Sequence, residues 1–476
     1  MMNDVPTWVF TTTLVVLGSL GLYLLGDVQS LIGGKQSKRP RYPPMAPGGV
    51  FRVLPKIWAV TATDFLLDLS RKMGKIFRVP LAPPGKHFFM VGDGVVARRI
   101  LENPKTKKFL PIYSIFDSIT GGPTMFTSEG PRFKHARKST NMAFAKTNID
   151  RMTETIHSVV QDWVEKHIGN GRDDIDVSHE MQRLTILVIG KIAFAYDFSD
   201  DEIAVMQAQI EQVFREFIIR SQKNPLRKWF PWFIPHVREA YANSRALMKT
   251  AHKIIDHYRS TPDAPTNTVL HLIMNDPEYK NDDERAADLF VYISAGYDTT
   301  SATIGWTMLS IAQHPDIQTW LRSELCKLPP ADRAVGCDAL SMVIRESMRL
   351  NPSSAIGGAR VLAEDIVLKD GTLMPKGSSC LILNYVIQRD GDVFEEPDRF
   401  QPSRWKKATP NMQRSWIAFS AGRRNCQGMA IANAELRVVL AKLCAEYEWT
   451  IVKEGRREVF VSMKTIGTIL KAVKKQ

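Results

Sequence analysis

Cysteine is scarce and scattered: Cys326, Cys337, Cys380, Cys426 and Cys444 are the only five, and no two form a Cys-x-x-Cys pair. That excludes a disulfide framework and a zinc ribbon, and it fits a reducing compartment. The chain also lacks internal repeats, low-complexity tracts, and any helix-turn-helix, zinc-finger or RNA-binding signature. Its net charge of +13 therefore points away from nucleic acid and toward an anionic membrane and an acidic partner protein. No flavin or nicotinamide module is present, so any redox chemistry draws its electrons from elsewhere.

Charge is missing altogether from Val5 to Gly26, about 22 residues. That is long enough to cross roughly 30 Å of hydrocarbon. Lys35, Lys38, Arg39 and Arg41 follow the run and only Asp4 precedes it, an asymmetry that leaves the remainder in the cytoplasm. The charged leader of a cleaved signal peptide is absent, so the run reads as an uncleaved anchor. Pro40, Pro43, Pro44 and Pro47 then predict a stiff, extended linker. The expected organisation is an anchor over 1–30, a basic proline-rich linker over 31–49, and one catalytic domain over 50–476. A later segment, Lys223 to Pro235, interleaves basic residues with Trp229, Phe230, Trp232 and Phe233, which predicts a second contact with the membrane interface.

Strand-like pieces are expected near 76–79 and 87–91, around 366–371 and in the last 25 residues. Long amphipathic helical patterns fill about 148–350. The class is mainly α with a minor β part.

The most informative stretch is Phe419-Ser420-Ala421-Gly422-Arg423-Arg424-Asn425-Cys426-Gln427-Gly428, just ahead of a helical pattern. A cysteine there can hold a haem iron through its thiolate, stabilised by backbone N–H groups at a helix N-terminus. Gly422 and Gly428 let the backbone wrap close to the sulfur. The stretch meets every fixed position of Phe-x-x-Gly-x-Arg-x-Cys-x-Gly and resembles the haem-ligand loop of the cytochrome P450 family. The resemblance implies the P450 fold, haem b with Cys426 as its proximal ligand, and cofactor contacts from Phe419, Arg424 and Gly428.

Further matches follow in family order. Ala295-Gly296-Tyr297-Asp298-Thr299-Thr300 sits in a helical pattern from about Asp283 to Ala312 and resembles the oxygen-activating motif, with Asp298 and Thr299 as a proton relay in a locally widened turn. Glu346 and Arg349 share one helix face and resemble the Glu-x-x-Arg pair, whose third charge is expected from Arg399 of Pro397-Asp398-Arg399-Phe400. Arg137 resembles the propionate arginine of a Trp-x-x-x-Arg helix. Phe133 stands where the tryptophan belongs, which leaves His135 or Lys134 to replace the lost indole donor. Arg360 occupies the place of the other propionate arginine. Ala295, Ala355, Ile356, Gly357, Val461 and Ser462 are the candidate substrate contacts, with Phe126 and the 112–119 stretch as unanchored additions.

The resemblance implies a haem-thiolate monooxygenase that inserts one oxygen atom from O2 into a lipophilic small molecule, in secondary metabolism. It would sit on the endoplasmic reticulum with its catalytic domain cytoplasmic. Electrons would come from a separate NADPH–cytochrome P450 reductase, docked on basic residues such as Arg423, Lys134 and Lys138. The alternatives are a P450-like isomerase or dehydratase that uses no O2, and a haem-binding sensor without catalysis.

Overall fold

A computed structural model describes residues 40–82, 86–224, 226–227, 232–263 and 265–475. The expected anchor and the first part of the linker lie outside them, as do 225 and 228–231 of the aromatic segment. Among the described residues no helix is long and apolar enough to cross a membrane.

One helix organises the fold. Asp282–Gln313 runs for 32 residues, about 48 Å at 1.5 Å per residue. Asn281 caps it by accepting from the Glu284 N–H at 3.0 Å, and Asp282, Asp283 and Glu284 complement the positive end of its dipole. Pro315 follows its end and starts the next helix. From Thr300 to Ala312 every residue is buried, as a helix enclosed on all sides requires. Its neighbours are the helices Val177–Ile189, Pro235–Arg259, Asp338–Leu350 and Met429–Glu446. Gly296 belongs to this packing: a Cβ there would meet the Ile189 side chain at 2.8 Å.

The β part is as small as the sequence implies. A five-stranded sheet runs in the spatial order Ile76–Val79, Phe88–Val91, Ser379–Ile382, Ala359–Val361, Lys107–Lys108. Its one parallel pair joins Phe88–Val91 to Ser379–Ile382, and Phe88–Val91 is buried at every position because both faces are covered. Near the C-terminus, Arg456–Val459 pairs antiparallel with Met463–Ile466 in a hairpin whose tip is 460–462. The end of the proline linker is no free spacer. Arg78 N–H donates to Pro44 O at 2.7 Å and Ala46 N–H returns to Arg78 O at 2.8 Å, which pins the segment to the edge of the sheet.

The Glu-x-x-Arg helix is Asp338–Leu350, and its pair is wholly buried. Arg349 Nε and one terminal nitrogen reach the two Glu346 oxygens at 2.9 Å each, a bidentate geometry. The third charge is Arg404, whose Nε donates to Glu346 Oε1 at 2.9 Å. Arg399 does not fill that place: it offers Arg349 only its carbonyl oxygen, at 3.1 Å, while its guanidinium turns outward to Glu396. Trp405 Nε1 and the Gln401 N–H, both at 2.9 Å, complete the shell around Glu346. A buried charge needs its hydrogen bonds satisfied, and this one has them.

Candidate active site

The cysteine loop is shaped by two left-handed residues. Ser420 has φ 62° and Gly422 has φ 69°, and a Cβ on Gly422 would collide with the Leu101 carbonyl. Cys426 N–H donates to Phe419 O at 3.0 Å, closing the loop, and Met429–Glu446 begins three residues on. Burial is the larger effect and leaves the Cys426 thiol raised, with the Gly428 N–H and the nearby Arg137 pulling against it. Gly428 itself needs no unusual backbone, with φ −81° and open space where a Cβ would stand, on the wall of a cavity of about 500 Å³. Phe419 and Cys426 line the same cavity.

Beside the loop the cavity wall is cationic. The Lys107–Lys108 strand pairs antiparallel with Ala359–Val361, in a register that sets Lys108 opposite Arg360. Like charges so placed repel unless something answers them. Arg360 is 4% exposed and donates to the Tyr113 hydroxyl at 3.0 Å. Arg424 donates to Ser128 O at 2.7 Å and meets Glu129 at 3.0 Å, yet its Nε and its other terminal nitrogen are buried with no partner. Lys108 hydrogen-bonds the Phe126 carbonyl and lies 4.1 Å from the Tyr113 ring centroid. Burial, reinforced by Arg424 and Arg360, pushes its ammonium down to about 6, against the pull of Glu129. Two guanidiniums, and a lysine that only an added anion would recharge, share one carboxylate, which leaves a deficit of negative charge. The two propionates of a haem would fill it, and the orphaned Arg424 nitrogens are where they are wanted.

Phe133 takes a different part from the tryptophan it replaces. Its ring lies 3.1 Å from the Arg424 guanidinium carbon and holds that side chain by its π face. The lost donor is not replaced by His135, which pairs with Asp276 at 2.8 Å, nor by Lys134, which is exposed. Lys108 is the extra cation, and the sequence reading missed it: a lysine beside Lys107 reads as solvated until the pairing with Arg360 is known. Arg137 lines the cavity and braces the loop, donating to Asn425 O at 2.8 Å and to Asn425 Oδ1 at 2.7 Å.

Across the cavity stand Ala295, Gly296, Thr299, Thr300 and Thr303 of the central helix. Thr299 donates to Ala295 O at 2.9 Å, the i−4 bond open to threonine in a helix. The widened turn expected here is absent, since the α-helix runs unbroken from Asp282 to Gln313. Asp298 does not line the cavity; it is 1% exposed and ion-paired to Lys464 of the C-terminal hairpin. One residue is 100° of helix rotation, so neighbours at 298 and 299 face different surroundings.

Of the expected substrate contacts, Ala295, Ile356, Gly357 and Val461 line the cavity. Ala355 and Ser462 do not: Ala355 is 2% exposed and packs with Trp306, Leu309 and Tyr385, and Ser462 is wholly buried. Ile112, Phe116 and Phe126 do reach the wall, together with Ile218, Ile219 and Phe460, which the sequence did not single out. Glu435 was missed as well. It lines the cavity fully buried, with Oε1 unpartnered, and burial pushes its carboxyl well above the usual range.

The sequence model of the Cytochrome P450 family matches residues 47–474. Cytokinin hydroxylase of Arabidopsis thaliana is 25% identical over 407 residues, which is 79% of this chain and 74% of that protein. Cytochrome P450 81F4 of the same plant is 25% identical over 353 residues, 69% of each chain. Cytochrome P450 3A11 of Mus musculus is 32% identical over 238 residues, 48% of this chain and 45% of that protein. With a family match over nearly the whole of the described chain, the protein belongs to the cytochrome P450 family and is a haem-thiolate monooxygenase.

Proposed function

We propose that this chain is a membrane-attached, externally reduced monooxygenase that hydroxylates a neutral lipophilic molecule of secondary metabolism. The observation that carries the reading is one cavity with Cys426 on one wall, a cationic cluster beside it in which two Arg424 nitrogens lack a hydrogen-bond partner, and an apolar wall opposite. Haem would be held by Cys426 through sulfur and by Arg360, Arg424, Arg137 and Lys108 through its propionates, packed on Phe419 and Gly428. Bound there, it supplies the electron-rich iron that activates O2.

The chain's own residues do the rest. The charged groups of the cavity lie with the cysteine loop and the propionate side, so the remaining wall selects by apolar contact. Ile356, Val461, Phe460 and Ile219 would orient the substrate and exclude water. Thr299 presents a hydroxyl on that side, anchored on Ala295 O, and can pass a proton inward. Asp298 is the acid that would replenish it, paired with Lys464 until it turns. Glu346, Arg349 and Arg404 form the scaffold lock and take no part in the chemistry.

Attachment rests on the uncharged 22-residue run and its basic flank, with Phe51, Trp232 and Phe233 exposed as further apolar contacts. The endoplasmic reticulum, with the domain cytoplasmic, is the address this topology favours. Arg423, Lys134 and Lys138 are all exposed and suit the acidic surface of an NADPH–cytochrome P450 reductase.

The test is reconstitution with that reductase and NADPH against a panel of lipophilic ligands, read first by the spin-state shift of the Soret band and then by product. Expected are a thiolate-type carbonyl spectrum that Cys426→Ala abolishes, and oxygenated product that needs NADPH. Turnover without NADPH would favour an isomerase or dehydratase. Ligand binding with no turnover under any donor would favour a sensor.

A further inference from the structure

Two neutral polar side chains interrupt the apolar lining of the cavity. Ser353 and Asn384 both line it and are 8% and 3% exposed. Ser353 stands just beyond the Glu-x-x-Arg helix, where its carbonyl accepts the Met463 N–H of the C-terminal hairpin at 2.8 Å. Asn384 comes directly after the end of the strand Ser379–Ile382 and one intervening leucine. The two segments run side by side: Gly357 N–H donates to Ile382 O at 2.7 Å, and Tyr385 N–H donates to Ala355 O at 3.0 Å.

The hydrogen bonding of this pair is incomplete. Asn384 Nδ2 donates to Ser354 O at 2.9 Å, which fixes the sense of the amide and leaves Oδ1 with no donor among the described residues. Gly357 keeps that oxygen uncovered, since a Cβ there would stand 2.7 Å from it. The Ser353 hydroxyl likewise meets no partner among the described residues. Buried polar groups cost stability unless something answers them. Ser353 has a proton to give, Asn384 has an acceptor to fill, and neither carries charge. A hydroxyl group answers both, because it accepts from the one and donates to the other.

We propose that Ser353 and Asn384 are specificity-determining residues that bind a hydroxyl group of the substrate, which is therefore a lipophilic alcohol and not a plain hydrocarbon. This rests on the reading of the cavity as the chamber of a lipophilic substrate. Ser353 Oγ–H donates to the substrate oxygen, and the substrate O–H donates to Asn384 Oδ1. Ile356 and Val461, which also line the cavity, pack on the carbon skeleton. A few placed polar groups in an apolar lining fix the orientation of what binds, and hence which carbon is presented for reaction. They also reject an analogue that leaves them unpaired.

The experiment titrates the holoenzyme with octanol, its methyl ether and octane, each read by the Soret shift. Octanol should bind about tenfold more tightly than the ether, which accepts from Ser353 but gives Asn384 nothing. Asn384→Leu should erase that difference. Ser353→Ala should cut the advantage of octanol over octane severalfold, with haem content and melting temperature unchanged, because its hydroxyl has no partner in the protein to lose. A serine that merely supported the fold would lower the melting temperature and leave the ratio in place. Equal binding of octanol and ether by the wild type overturns the proposal, and so does an undiminished octanol-to-octane ratio in Ser353→Ala. Haem loss from Ser353→Ala with that ratio kept assigns the hydroxyl to the cofactor and overturns it too. Should Asn384→Leu fail to fold, Ser353→Ala decides alone. A Soret band that answers to none of the three probes overturns the lipophilic reading and this proposal with it, whereas equal affinity for all three overturns this proposal only.

Discussion

Lys464, on the second strand of the C-terminal hairpin, closes an ion pair on Asp298 of the central helix, a carboxylate that is 1% exposed and makes no hydrogen bond. The same hairpin places Phe460 and Val461 of its tip on the cavity wall. The element that shapes this part of the cavity wall is thus also the one that neutralises the acid next to Thr299. Removing one partner of a buried pair strands the other's charge, whereas removing both does not.

Lys464→Met should therefore destabilise the enzyme by about 3 kcal/mol, and Asp298→Asn added to it should recover most of that loss. Denaturant midpoints of the two single variants and the double variant measure the effect. If Lys464→Met alone is neutral, the pair does not form in solution.

Thr299→Ala removes the one hydroxyl that the acid–alcohol dipeptide presents to the cavity. NADPH consumption should continue while product per NADPH falls severalfold and hydrogen peroxide rises to balance it, with the substrate-induced Soret shift unchanged. Tight coupling in this variant would remove Thr299 from the relay.

What the sequence made legible, and what it did not, follows from range. Gly422 and the Glu346–Arg349 pair are set by local geometry, a left-handed loop residue and a three-residue helix spacing, so neighbouring residues are enough to place them. Arg404 and Lys108 were invisible because their partners are far away in the chain: Glu346 lies 58 residues from Arg404, and Arg360 reaches Lys108 only through a strand pairing. Asp298 and Thr299 read as a unit because they are adjacent, yet helix rotation sends them to different surroundings. Ala355 and Ser462 carry the small size and location of pocket residues, but whether a side chain at such a place faces the cavity or the core depends on the register of the segments around it.

The Lys108 ammonium ties haem retention to pH. With Glu129 beside it but no propionate, the Lys108 ammonium of the folded chain is pushed down to about 6, against an ordinary value of 10.5. Between those values the unfolded chain holds more protons, so haem-free stability rises as pH climbs through the window. Propionates alongside favour the charged form and raise the value again, so haem binding takes up a proton. Haem affinity should therefore fall as pH rises from about 6 to 8 and become flat over that range in Lys108→Met. Transfer of haem to an acceptor globin, timed at several pH values, measures it. An equally steep profile in Lys108→Met would assign the dependence to another group.

Arg404 and Arg399 separate the observed charge network from the one the motif implies. Arg404→Leu withdraws a guanidinium that is 6% exposed from a carboxylate that is fully buried, and leaves Glu346 with one cation in place of two. The expected cost is about 2–3 kcal/mol, below the roughly 3–5 of a fully broken buried pair because Arg349 and Trp405 still serve Glu346. Arg399→Ala removes a guanidinium that is 64% exposed and paired only with Glu396, an exposed pair of the kind that contributes under about 1 kcal/mol, and it keeps the backbone carbonyl that Arg349 uses. Thermal unfolding of the two variants side by side should show a clear drop for Arg404→Leu and almost none for Arg399→Ala. The opposite order would return the third place in the network to Arg399.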